Sequence, residues 1–171
     1  MLFRDLVYLL PLATGLVVGL PVSAHAASDA AMLQSYGGNY RGTGALAGDH
    51  TGTVRCRIDF QPAAATSLNY TGRCSAEGAD MSMTGVITSR NGRIEAAMSG
   101  SGGLSAVVTG VRRGGGIVFS SKQHIVQNGH DETVASTMAL TGGTIEVDFS
   151  MLDNKTGKVT TGTIPFVKLA P

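Results

Sequence analysis

Residues 54–60 read VRCRIDF and residues 68–74 read LNYTGRC. Apolar and polar side chains alternate in both segments, and this period of two is typical of a β-strand with one buried face. Pro62 and the three alanines after it separate the segments and interrupt the alternation. The two segments are therefore predicted to form an antiparallel hairpin with one apolar and one polar face.

A symmetric pairing of this hairpin about its turn places Cys56 directly opposite Cys74. The same register places Phe60 opposite Tyr70, so the cysteines and the aromatic side chains share the apolar face. Directly opposed residues of an antiparallel pair lie about 4.5 to 5.5 Å apart between Cα atoms, a distance that a disulfide can bridge. Because the chain has only these two cysteines, we predict a disulfide between them.

The polar face of the hairpin carries Arg57 directly opposite Arg73, an unfavourable pair of like charges. Asp59 is diagonal to Arg73 and Glu77 is diagonal to Arg55, which predicts a ladder of ion pairs. The alternative is an anion-binding patch formed by Arg55, Arg57 and Arg73. The sequence alone is compatible with both.

The alternation recurs along most of the chain, with glycine-rich turns between the apolar runs. The chain contains 24 glycines and few of the residues that favour helices. Asn91-Gly92 and Gly142-Gly143 are typical of tight hairpin turns. The predicted strands span residues 36–46, 52–61, 67–76, 80–89, 92–99, 103–111, 115–123, 132–141, 143–152 and 157–169. We therefore predict an all-β fold, an antiparallel up-and-down meander of about eight to ten strands that closes into a small barrel, with a β-sandwich as the alternative.

The apolar face of the predicted sheet is built from small and flexible side chains, and the chain has no tryptophan. Glycine and alanine are compatible with a narrow interior that side chains fill. They are equally compatible with a cavity in which methionines adapt to the shape of a ligand. The side chains that we expect to line such a cavity are Phe60, Tyr70, Met81, Met83, Met98, Met138, Phe149 and Met151.

Residues 1–26 have the features of a secretory signal peptide, with a basic residue before an apolar helix. Ala24-His25-Ala26 matches the A-x-A pattern of signal peptidases, so cleavage is predicted after Ala26. A membrane anchor fits less well, because prolines and glycines interrupt an apolar run that is shorter than about 20 residues. We expect a flexible segment at residues 27–35, a single β-barrel domain at residues 36–171, and a location in the periplasm or outside the cell.

The charges of the chain are nearly balanced, with 13 lysines and arginines against 12 aspartates and glutamates. This balance disfavours nucleic acid as a partner. No further apolar run of spanning length follows the leader, so no integral membrane segment is expected after cleavage. An outer-membrane barrel is also disfavoured, because threonines and charged residues alternate on the face that would contact lipid.

Candidate catalytic and metal-binding residues are few. His124, His130 and Asp131 lie close together in the sequence, but their spacing matches no established ligand motif. The predicted disulfide removes both cysteines as nucleophiles, and the chain has no G-x-S-x-G motif. We therefore expect no enzymatic activity, no metal and no cofactor.

Three segments resemble small exported β-barrel proteins of proteobacteria: YGGNYRGTG at residues 36–44, VRC at residues 54–56 and GRC at residues 72–74. This resemblance covers residues 36–90. The meander also resembles, in architecture, the lipocalin-like (calycin) barrels, which implies a closed barrel with a ligand in its interior. The chain lacks the glycine-x-tryptophan signature of lipocalins, and no binding residues follow from the resemblance.

Two functional hypotheses follow from the sequence. The first is an exported periplasmic or secreted barrel, without catalytic activity, that binds a small apolar or amphipathic ligand. The second is a structural or interaction protein of the cell envelope that uses its arginine-bearing outer face. The expected partner is accordingly a small hydrophobic ligand or a component of the envelope.

Overall fold

The structure is a computed structural model that describes residues 24–76, 79–127 and 129–170. Most of the predicted signal peptide, residues 1–23, lies outside the described residues. Helix α1 spans Ala24–Ser35, and a short 3-10 turn spans Ser101–Gly103. The strands are β1 Gly38–Gly48, β2 Gly52–Ala64, β3 Ser67–Ala76, β4 Ala79–Arg90, β5 Arg93–Gly100, β6 Ser105–Arg113, β7 Gly116–Gln127, β8 His130–Thr141, β9 Thr144–Asp153 and β10 Val159–Lys168. Within these ranges no helix combines the length and the apolar character that crossing a bilayer requires.

The ten strands form one closed antiparallel barrel in which each strand pairs with its neighbours in sequence. β10 returns to β1 and closes the wall, from Tyr40 opposite Lys168 to Gly48 opposite Thr160. This closure confirms the predicted barrel and rules out the sandwich. A sheet with one apolar and one polar face buries the apolar face by curling, and a closed wall leaves no free edge.

The β2–β3 hairpin has the register that the sequence predicts. Cys56 lies opposite Cys74, and the two form a disulfide with 4.1 Å between their Cα atoms. Phe60 lies opposite Tyr70, and all four side chains are buried. The prediction of the disulfide and of the apolar face is confirmed.

Helix α1 lies against one end of the barrel, where the structure differs from the predicted flexible segment at residues 27–35. The Gln34 side chain donates hydrogen bonds to the carbonyl oxygens of Ala64 (2.9 Å) and Ser67 (3.2 Å) at the β2–β3 turn. Leu33 is fully buried against the barrel. Alanines favour a helix here, and the packing of Leu33 holds it, since short helices gain most of their stability from tertiary contacts.

An ion pair and a tyrosine hydrogen bond also close this end of the barrel. The Asp29 carboxylate of α1 is 5% exposed and accepts a hydrogen bond from Arg112 Nε of β6 at 3.0 Å. After α1, the Tyr36 hydroxyl accepts a hydrogen bond from the backbone N–H of Gly143 at 3.3 Å. A buried carboxylate needs such a cationic partner. The helix is thereby joined to distant parts of the wall.

The two tight turns predicted from sequence have the expected backbone. Asn91 and Gly92 have φ values of 52° and 77°, and Gly142 and Gly143 have φ values of 58° and 82°. Positive φ at both central residues matches the twist of the flanking strands. These turns fix the β4–β5 and β8–β9 hairpins.

The wall has a seam between β6 and β7. Backbone pairing between these strands is limited to three positions next to the connecting turn: Val111 opposite Val118, Arg112 opposite Ile117 and Arg113 opposite Gly116. Farther along, the Gln123 side chain spans the seam, and its Oε1 accepts a hydrogen bond from the backbone N–H of Ser105 at 3.2 Å. This side-chain hydrogen bond joins the two strands beyond the end of their backbone ladder.

Candidate functional site

The interior of the barrel has a closed half, which is the half next to α1. Each of its large apolar side chains is at most 5% exposed. They form one cluster of buried residues, as in a close-packed protein core. The residues are Leu33, Tyr36, Tyr40, Ile58, Phe60, Leu68, Tyr70, Ile87, Ile94, Ile117, Phe119, Leu140, Ile145 and Phe166.

Three aromatic rings lie together in the closed half. The ring centre of Phe60 is 5.7 Å from that of Tyr40 in a near-perpendicular arrangement and 5.6 Å from that of Tyr70. Gly85 lies opposite Tyr70, and a Cβ atom at this position would overlap the Tyr70 hydroxyl. Burial raises the pKa of Tyr70 to about 12 and also raises the pKa of Tyr40. This environment disfavours charge.

The other half of the interior is the open half, which lies toward the ends of the strands farthest from α1. Its inward-facing Val54, Cys56, Cys74 and Thr160 on β2, β3 and β10 are buried. The inward-facing side chains on β4 to β9 are instead partly exposed, so solvent reaches them. The strand registers place them on the same face as the closed core. They include Met83, Met98, Ser121, Gln123, Ile125, Val134, Ser136, Met138, Phe149 and Met151. The open half therefore forms a cup whose floor is the closed half.

The structure divides the predicted ligand-lining residues between these two halves. Phe60 and Tyr70 belong to the packed floor. Met81 lies near the rim, on the same face as Cys74, and is 39% exposed. The remaining five residues line the open half: Met83, Met98, Met138, Phe149 and Met151.

The open half also contains polar groups that are not among the ligand-lining residues predicted from sequence. The hydroxyls of Ser121 and Ser136 face each other across β7 and β8 at 2.8 Å. Gln123 lies on the same face of β7, two residues beyond Ser121. Phe119 and Ile125 face inward on β7, so the alternation of this strand would also have predicted Ser121 and Gln123 on the inner face. The cup thus combines apolar side chains with hydrogen-bonding groups, and Glu132 and Asp153 lie on the same face near the rim.

The outer wall carries the arginines proposed as an anion patch. Arg55, Arg57 and Arg73 are exposed on the outer face of β2 and β3. Arg41 of β1 lies opposite Arg57 and extends the set. Arg41 was not among the predicted residues of the patch, although a symmetric β1–β2 hairpin would have placed it opposite Arg57.

The predicted ion-pair ladder is not formed on the part of this face that the structure describes. The Asp59 carboxylate accepts a hydrogen bond from Gln61 Nε2 at 2.7 Å and does not lie within 4.0 Å of the Arg73 guanidinium. Glu77 lies outside the described residues. A groove of about 510 Å³ runs over Arg41, Arg57 and Arg73.

The histidines predicted to be the best metal candidates lie on the β7–β8 hairpin. His124 Nε2 is 2.7 Å from Asp131 Oδ1, which also accepts a hydrogen bond from Asn154 Nδ2 at 2.7 Å. These two hydrogen bonds lower the pKa of Asp131. The Nδ1 atom of His130 lies 3.7 Å from Oε1 of Glu132 instead. In the described ranges no three such side chains converge as a metal site.

The fold and its half-open interior define a ten-stranded antiparallel β-barrel with one end closed by a helix. No protein-family model matches this chain, and no curated protein matches it either.

Solved structures with a similar barrel do exist. Rv2717c from M. tuberculosis has a TM-score of 0.61 at 15% identity, over 81% of this chain and 98% of that chain. The S-type phycobiliprotein lyase CPES from Guillardia theta has a TM-score of 0.54 at 12% identity, over 82% of this chain and 92% of that chain. At these identities the likeness establishes the fold alone, because one fold hosts many functions.

Proposed function

We propose that the protein is an exported β-barrel that binds a small apolar or amphipathic molecule in the open half of its interior, without catalysing a reaction. The observation that carries this proposal is the partial exposure of inward-facing apolar side chains above a fully packed floor. Concave apolar surfaces with a few polar groups are the usual form of small-molecule sites. The disulfide supports export, since such bonds persist in oxidising compartments.

The chemistry of the cup favours an amphipathic ligand. Met98, Met138 and Met151 supply flexible, polarisable side chains that adapt to irregular apolar shapes. Ser121 and Ser136 supply hydroxyls that donate or accept hydrogen bonds. A molecule with an apolar body and one polar group would satisfy both kinds of side chain.

Binding without catalysis is supported by the spacing of the polar groups on this face. The inward-facing histidine of β8 is His130, which pairs with Gln127. It lies six residues from Ser136 along the strand, about 20 Å at the usual rise per residue. That distance is too long for the hydroxyl and the imidazole to act as nucleophile and base.

The test uses two tryptophan substitutions on adjacent residues of β6. Ala106 faces the interior opposite Met98, whereas Val107 faces outward and is 73% exposed. The full chain is expressed for export, purified, and titrated with a dansylated C11 fatty acid. We expect the probe to bind the parent protein and Val107→Trp, and to lose at least about tenfold in affinity for Ala106→Trp, because the indole fills the cup.

Both variants are checked by urea unfolding, and Ser136→Trp is the substitute if Ala106→Trp does not fold. The parent has no tryptophan, so energy transfer from the new indole to the dansyl group also reports proximity. Absence of probe binding to the parent, or equal binding by the inner and outer variants, would contradict the proposal.

A further inference from the structure

The outer wall carries a row of three arginines in direct register. Arg41 of β1 lies opposite Arg57 of β2, which lies opposite Arg73 of β3. Neighbouring strands are about 4.8 Å apart, so the three side chains start from one line about 10 Å long. All three are exposed and on the polar face. Such like-charged neighbours destabilise a sheet unless an anion lies between them.

The described residues do not supply that anion. The ion pairs that they form involve other cations, such as Arg93 with Glu95 and Lys158 with Asp49. Asp59 is the acidic residue that lines the same groove, and its carboxylate is held by the Gln61 side chain at 2.7 Å. Within the described residues the positive charge of the row is therefore not paired with an acidic side chain.

The shape of the surface favours a discrete solute over a membrane surface. The three arginines line a groove of about 510 Å³, and a small solute fits into such a groove better than the flat surface of a bilayer does. Guanidinium groups bind carboxylate, phosphate and sulfate through paired hydrogen bonds. The row fits a ligand with two or more such groups.

The other polar residues of the lining add a second requirement. Asn39, Thr71, Ser82 and Thr84 line the groove beside the arginines, as does Asp59. A carboxylate accepts hydrogen bonds from hydroxyl groups and repels anions, so the ligand must place hydroxyls next to its charges. Sugars that bear acidic groups meet both requirements, whereas a bare polyphosphate meets only the first.

We propose that the groove over Arg41, Arg57 and Arg73 binds an acidic saccharide, that is, a sugar chain carrying carboxylate, phosphate or sulfate groups. The charged groups of the saccharide pair with the arginine row, and its hydroxyls bond to Asp59 and the neighbouring amide and hydroxyl side chains. The arginines of the site are on the outer wall, and Met83 is the residue that the groove shares with the interior cup. It adds a second ligand class to the molecule.

The test compares two double variants of equal charge by NMR titration. Arg57→Gln/Arg73→Gln removes two members of the row, whereas Arg90→Gln/Arg113→Gln removes two exposed arginines at the ends of β4 and β6. The probes are trigalacturonate, a heparin tetrasaccharide, neutral maltotriose, tripolyphosphate, and vesicles that contain phosphatidylglycerol.

We expect at least one acidic saccharide to bind the parent and the Arg90/Arg113 variant equally. Affinity for the Arg57/Arg73 variant should be lower by about tenfold or more, because charge-assisted hydrogen bonds are lost. Binding should weaken with salt, and maltotriose should not bind. Equal loss in both variants, no saccharide binding, or binding of tripolyphosphate or vesicles as tight as that of the saccharides would overturn the proposal. Unchanged fatty-acid binding by the Arg57/Arg73 variant separates this result from the function of the cup.

Discussion

Ile117 and Leu140 face each other across β7 and β8 with no solvent exposure, whereas Ser121 and Ser136, two inward pairs farther along the same strands, are partly exposed. The two regions share strands, register and alternation. They differ because α1 lies over the first region and brings Leu33 into its core. Along β7 and β8 the buried side chains therefore lie at the α1 end and the accessible ones at the other end.

The first prediction contrasts one core side chain from each half. Phe60→Ala should lower the free energy of unfolding by about 3–5 kcal/mol, because it leaves a cavity among fully buried rings. Met151→Ala should cost about 1 kcal/mol or less, since its site is already open to solvent. Urea unfolding of both variants measures the difference. Equal losses would show that the two halves are packed alike.

The second prediction concerns the disulfide of the β2–β3 hairpin. The disulfide joins residues 18 apart, and its removal by Cys56→Ala/Cys74→Ala should cost about 3 kcal/mol in the chain-entropy model. Because the bridge restrains the unfolded chain, hydrogen exchange limited by global unfolding should accelerate equally in both halves. Acceleration confined to β2 and β3 would show a local effect instead. Reduction of the parent protein serves as the control.

The third prediction tests how α1 maintains the closed half. Arg112→Met leaves the buried Asp29 carboxylate without its cation, which should destabilise the protein by about 2 kcal/mol. Proteolysis near α1 should become faster. The double variant Asp29→Asn/Arg112→Met should recover part of the loss, since no unpaired charge is then buried. Lack of any recovery would mean that Arg112 acts through packing alone.

The fourth prediction uses pH. The pKa of Tyr70 is raised to about 12 in the folded protein, above the value of about 10 for an unfolded chain. The unfolded state therefore loses this proton first, and stability is lost as pH rises from about 10 toward 12. Tyr70→Phe keeps the ring and should show a weaker loss over this range in urea unfolding. A profile identical to that of the parent would contradict the pKa assignment.

Local patterns were sufficient to predict most of the fold. Alternation and turn residues gave the strands, and the Cys56–Cys74 register followed from one symmetric hairpin. The positive φ values at Asn91-Gly92 and Gly142-Gly143 follow from the residue types that those turns require. These features depend on neighbours in sequence, so they are visible without the structure.

Features that depend on distant contacts were missed. Helix α1 is held by Leu33 and by the pairing of Asp29 with Arg112, 83 residues away. The division of the interior was also invisible, because Tyr70 and Met138 occupy equivalent positions in the alternation but only Tyr70 is fully buried. The arginine row needed the β1–β2 register to bring in Arg41. Binding of a ligand in the cup stays a prediction.

The shortest backbone ladder of the barrel is the β6–β7 seam, and it does not coincide with the junction of the first and last strands. The β1–β10 ladder extends from Tyr40 to Gly48, while the β6–β7 ladder ends at Val111. The weakest join in the sheet therefore lies in the middle of the polypeptide. A circular permutant that starts at Gly115, ends at Gly114 and links β10 to α1 would keep every long ladder intact. In such a molecule the order of strands along the chain would run from one side of the seam around the barrel to the other.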